Sequence, residues 1–86
     1  MEDNTTSSPI LREIYDQLGP RNQSVNDTLK LLSGKGVKAS RASIYQTIAG
    51  RSQRREIVEA FLEVAEVEFE RRRQVEQRAT RLLAKP

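Results

Sequence analysis

The sequence predicts an all-α chain of three short helices followed by one long one, and three observations carry that expectation. Apolar residues recur three and four positions apart through Ile10–Leu11–Ile14–Tyr15–Leu18, Val25–Leu29–Leu32 and Ile44–Ile48. Helix-stopping residues fall between these runs, at Gly19-Pro20, at Gly34 and Gly36, and at Gly50. From Ser52 to Lys85 neither Gly nor Pro interrupts a stretch dominated by Ala, Glu, Arg, Gln and Leu. The residues after Gly50, Arg51 to Arg55, show no two-residue apolar alternation, so no hairpin is expected there.

Taken in order, residues 1–8 are polar, lack apolar periodicity and are expected to form a disordered tail. Pro9 suits the first position of a helix running to about Leu18. After the loop at 19–23, Ser24 or Asn26 is suited to cap a second helix, with Val25, Leu29 and Leu32 on one side and Leu31 beside them. Ser33-Gly34-Lys35-Gly36 ends it. Ser40 is a good N-cap for a third helix, which contains no Gly or Pro before Gly50 closes it in the left-handed conformation. On the fourth helix, residues from Ile57 to Phe69 cover more than half the wheel with apolar side chains, opposite a stripe of Glu56, Glu59, Glu63, Glu66 and Glu70. That arc is wider than one small domain needs. One side is therefore expected to seal the domain and another to meet a second copy, through Phe61, Leu62, Val64, Ala65, Phe69, Val75 and Leu82. Arg71-Arg72-Arg73 interrupts the apolar surface, and neighbouring Glu68, Glu70 and Glu76 favour ion pairing there.

Composition narrows the function classes. With 86 residues the chain accommodates one domain and an appendage, and 36% apolar against 31% charged residues leaves part of it short of material for its own core. It contains neither Cys nor His, which removes thiolate nucleophiles, imidazole bases and the commonest zinc ligands, so no catalytic residue, metal site or cofactor is expected. No apolar run reaches membrane-spanning length and the first residues do not form a signal peptide, so the expected setting is cytoplasmic and nucleoid-associated, with no membrane partner. Charge is unevenly placed. Residues 25–55 carry seven basic side chains against Asp27 alone, whereas 1–24 is net −2 and 56–86 net −1, together giving the total of +3. A basic segment of this kind attracts a polyanion.

The basic segment brackets the third helix. Ile44 and Ile48, one turn apart, can face inward, leaving a small polar outer side expected to consist of Ala42, Ser43, Gln46 and Thr47. Gln offers a paired donor and acceptor matched to adenine in the major groove, and small neighbours permit close approach. Lys38, Ser40, Arg41, Ala42, Ser43, Gln46, Thr47, Arg51, Arg54 and Arg55 are accordingly the expected DNA-contacting residues, the cations serving mainly phosphate. A rival partition makes the first two helices the DNA-binding pair, with Asn22, Gln23, Asn26 and Lys30 as readers. Asp27 would then face phosphate.

The run Ser43-Ile44-x-Gln46-x-x-x-Gly50-Arg51 resembles the recognition helix and following turn of the λ-repressor-like, Cro-type helix-turn-helix family. The resemblance covers about a dozen residues and implies that Arg41, Ala42 and Gln46 face base edges while Ile44 anchors the helix. The chain departs from the family pattern in placing Thr47 where a second apolar anchor usually stands, with Ile48 one residue later, and in a longer link from Gly36 to Ser40. The implied organisation is a tail at 1–8, a helix-turn-helix domain of three short helices at 9–55, and a C-terminal helix at 56–86 for packing and dimerisation. The implied function is that of a dimeric transcriptional regulator on a palindromic operator, of phage, prophage or plasmid repressor type, with further assembly of dimers on DNA as an extension. The competing expectation is a protein-interaction module that pairs through its last helix. RNA binding is disfavoured because Phe61 and Phe69 are expected to be buried, leaving few aromatic faces.

Overall fold

A computed structural model describes residues 10–84, and among these every regular element is a helix: α1 (Ile10–Leu18), α2 (Ser24–Gly34), α3 (Arg41–Ile48) and α4 (Arg55–Ala84). The expected all-α architecture, three short helices and then a long one, is what the chain adopts. The expected tail at 1–8, the N-terminal position of Pro9 and the end of the last helix at Lys85 lie outside the described residues.

The elements start and stop for local reasons. Neither Ser24 nor Asn26 caps α2; the N-cap is Gln23, whose side chain makes no capping bond. Asn22 does the work instead. Its side-chain oxygen accepts from the Ser24 amide at 3.0 Å, and its side-chain amide donates to the Gly19 carbonyl, bridging the end of α1 to the start of α2. At the other end of α2, Gly36 adopts a φ of 76°, which lets the Val37 amide reach back to the Leu32 carbonyl at 2.9 Å and the Gly36 amide to Ser33 at 3.0 Å. The turn thereby places Val37 against the core. The last helix begins at Arg55 rather than Ser52, because the Arg54 carbonyl accepts the first bonds, from the Ile57 and Val58 amides.

The core lies where the first half of α4 crosses the three short helices. Leu18, Val25, Leu32, Ile44, Ile48, Ile57, Ala60, Phe61 and Ala65 are buried in one cluster, against which Leu11, Ile14, Leu29, Val37 and Phe69 pack. Phe61 and Ala65 were expected at a dimer surface, and the structure corrects this. Both are buried inside the chain itself, at 0% and 2% exposure, because α1, α2 and α3 all pack on their side of α4. Leu62, Val64 and Phe69 are half-buried, whereas Val75 and Leu82 stand in solvent on the half of α4 that extends past the domain.

One core residue is mismatched to its surroundings. Thr28 is fully buried and its Oγ1 has no hydrogen-bond partner among the described residues, so folding removes a hydroxyl from water without replacement there. Replacing Thr28 by Val keeps the shape and removes the polar atom. The variant is expected to be more stable by about 1 kcal/mol, read as a rise in thermal midpoint. A fall in midpoint would show that the hydroxyl is satisfied in solution.

Candidate nucleic-acid interface

The first requirement of a reading helix is a fixed pose, and α3 has one at both ends. The Ser43 amide donates to Ser40 Oγ at 3.1 Å and the Ser40 amide to Ser43 Oγ at 2.9 Å, a reciprocal capping box. Its C-terminus closes at Gly50, with φ 86°, where the Arg51 amide bonds the Gln46 carbonyl at 2.9 Å and the Gly50 amide bonds Thr47 at 3.1 Å. The two serines proposed from sequence as DNA contacts are therefore occupied in shaping the helix start. Ile44 and Ile48 are buried, pinning the inner side as expected.

Thr47 is corrected. It was assigned to the outer side, but it is 2% exposed and sits inward with the two isoleucines. Its methyl group meets the core while its hydroxyl donates to the Ser43 carbonyl at 2.8 Å, so burial leaves nothing unpaired.

With Thr47 inside, the exposed arc shifts by about 100°, one residue's turn, and consists of Arg41, Ala42, Tyr45 and Gln46. Ser43 lies at its edge, half-buried. Tyr45 is the residue that sequence reasoning missed. It is 49% exposed and meets Tyr15 of α1 edge to face, ring centroids 6.3 Å apart at 80°. Burial first, and then the neighbouring Tyr45, raise the Tyr15 phenol above its ordinary pKa. The signal was present: Tyr45 follows Arg41 by four positions, so the two lie on the same side of the helix.

Around this arc lie the cations. Lys38, Arg41, Arg51 and Arg55 are exposed, and among the described residues none forms an ion pair. Arg54 donates to the Lys38 carbonyl at 3.1 Å, tying the segment before α3 to the segment after it while its guanidinium remains on the surface. Lys35 departs from the set: its ammonium lies 3.8 Å from Glu63 on α4. Of the rival partition's residues, Lys30 is exposed and forms no ion pair among the described residues, while the three polar side chains are engaged locally. Asn22 holds the α1–α2 corner, and the Asn26 side-chain amide donates to Gln23 Oε1 at 3.0 Å.

No protein-family model, curated protein or solved structure matches the chain. The site therefore stands on its own geometry. No helix among the described residues is long and apolar enough to cross a membrane.

Proposed function

We propose that this chain binds double-stranded DNA sequence-specifically, with α3 in the major groove, and regulates transcription as paired copies on a palindromic operator. One observation carries the proposal: an outward helix edge of Arg41, Ala42, Tyr45 and Gln46 is framed by Lys38, Arg51 and Arg55, which the described carboxylates leave unpaired. An eight-residue helix is about 12 Å long and enters a groove about 12 Å wide. Gln46 is suited to the N6 and N7 of adenine, Arg41 to guanine or phosphate, and Ala42 to a thymine methyl. Tyr45 adds a hydroxyl beside them, and the surrounding cations set register on phosphate. The resemblance to λ-repressor-like proteins supports the phage or plasmid repressor class as the setting.

The test is selection of bound fragments from random duplex, followed by binding of Arg41→Ala and Gln46→Ala to the enriched site. Each variant is expected to lose about 1–3 kcal/mol on that site and to relax preference at one base pair, with little change on random duplex. The absence of any enriched sequence, or a Gln46→Ala protein with unchanged preference, refutes base readout by α3. Exposed Val67, Val75 and Leu82 on α4 favour a second reading, a module that binds another protein, and failure to bind duplex at any salt would support it.

A further inference from the structure

From the edge of the domain outward, α4 presents a seam that no other described helix covers past Val64. Val64, Val67, Arg71, Val75, Arg78 and Leu82 follow one another at three- and four-residue steps and so share one side of the helix over about 27 Å. Of these, Val67 is 65%, Val75 53% and Leu82 64% exposed. Where the seam passes α2 it borders an apolar groove of about 300 Å³ lined by Asp27, Leu31, Glu63, Val64, Val67 and Glu68. Apolar floor and acidic rim describe the occupant: an apolar side chain on a basic helix.

The chain itself carries that occupant. Residues 55–70 of α4 hold six glutamates against Arg55, whereas 71–84 hold five arginines against Glu76. A parallel pair of α4 helices would set like charge against like; an antiparallel pair sets each basic half against an acidic one. We propose that two copies associate antiparallel along this seam, Leu82 of one seating in the Leu31–Val64–Val67 groove of the other, with Arg81 against Glu63 at the rim. The inference rests on the paired copies of the proposed function and specifies how they pair.

The register sets how far apart the two domains lie. Leu82 opposite Val64 puts the twofold axis at residue 73, twelve residues from Phe61 at the centre of the domain. At 1.5 Å per residue the two domains are then about 36 Å apart along the helices. Beside the middle of the seam, Arg71 and Arg72 both bond Glu68, which their hydrogen bonds hold at a pKa of about 2, and Arg72 also donates to the Leu18 carbonyl at 2.8 Å.

Sedimentation of the full chain decides the matter. A mass of twice 9.8 kDa is expected at about 100 micromolar, and Leu82→Glu should raise the dissociation constant at least about tenfold with helix content unchanged, since Leu82 lies outside the core. Arg81→Glu should weaken association, and adding Glu63→Arg to the same chain should restore it. Because the native chain has no Cys, single cysteines report orientation: a mixture of Val64→Cys and Leu82→Cys chains should cross-link, and Leu82→Cys alone should not. A monomer at that concentration, a dimer indifferent to Leu82→Glu, or disulfide formation by Leu82→Cys alone overturns the proposal. Those results leave DNA binding by α3 untouched, because a monomer retains its half-site contacts. Loss of DNA preference in an intact antiparallel dimer would instead refute the proposed function.

Discussion

Phe61→Ala is expected to lower stability by about 3–5 kcal/mol and to leave much of the population unfolded near physiological temperature. Phe61 is fully buried and is the largest side chain in the core, at the level of α4 where the three short helices converge. Truncation removes its transfer free energy and leaves a cavity that α2 and α3 cannot both fill, since each is also held at its ends by capping turns. A chain of this size buries little surface to offset the loss. By circular dichroism the thermal midpoint should fall by about 12 °C or more, at about 4–8 °C per kcal/mol for a domain of this length. Leu83→Ala, on the exposed half of the same helix and off the seam, should change stability by less than about 0.5 kcal/mol. Equal effects at the two positions would mean that the first half of α4 is not the seat of the core.

That contrast also marks where the sequence was readable and where it was not. Helix existence and order were legible, because Gly19, Gly36 and Gly50 each fall within four residues of the end of an apolar repeat and because neither Gly nor Pro interrupts the chain from Ser52 to Lys85. The ends of α3 were legible for the same reason: Ser40 and Gly50 each have one obvious local use. The rotation of α3 was not. Thr is ambiguous by chemistry, with a methyl group that suits a core and a hydroxyl that suits a surface, and only a bond to the carbonyl four residues back resolves it inward. The apolar width of α4 was legible as well, but its division between domain and free surface was not. Phe61 and Val75 lie within about 40° of each other on a helical wheel; what separates them is where α1, α2 and α3 pack, a fact of tertiary arrangement. Asn22 was missed as the cap of the α1–α2 corner because its bonds depend on the turn that Gly19 and Arg21, both at positive φ, build around it.

If α3 lies in the major groove, DNA affinity should fall about 10³–10⁵-fold between 50 and 200 mM salt, steeply enough to dominate every other variable. Lys38, Arg51, Arg54 and Arg55 provide four candidate phosphate contacts per copy and eight for a pair, all exposed and all on the segments flanking α3. Eight contacts correspond to a slope of about −7 in log affinity against log salt. Replacing Arg51 and Arg55 by Ala removes four of the eight and should bring the slope to about −4, weakening binding similarly on the selected site and on random duplex. Both side chains are exposed and bonded to no other described side chain, so the domain should keep its thermal midpoint. Arg54 is the instructive exception. Its guanidinium also holds the Lys38 carbonyl, so Arg54→Ala should lower the slope and loosen the pose of α3 together, eroding site preference where the Arg51 and Arg55 changes do not. A salt slope near zero, or one unchanged by losing Arg51 and Arg55, would place the polyanion elsewhere on the molecule and leave the basic frame around α3 without a partner.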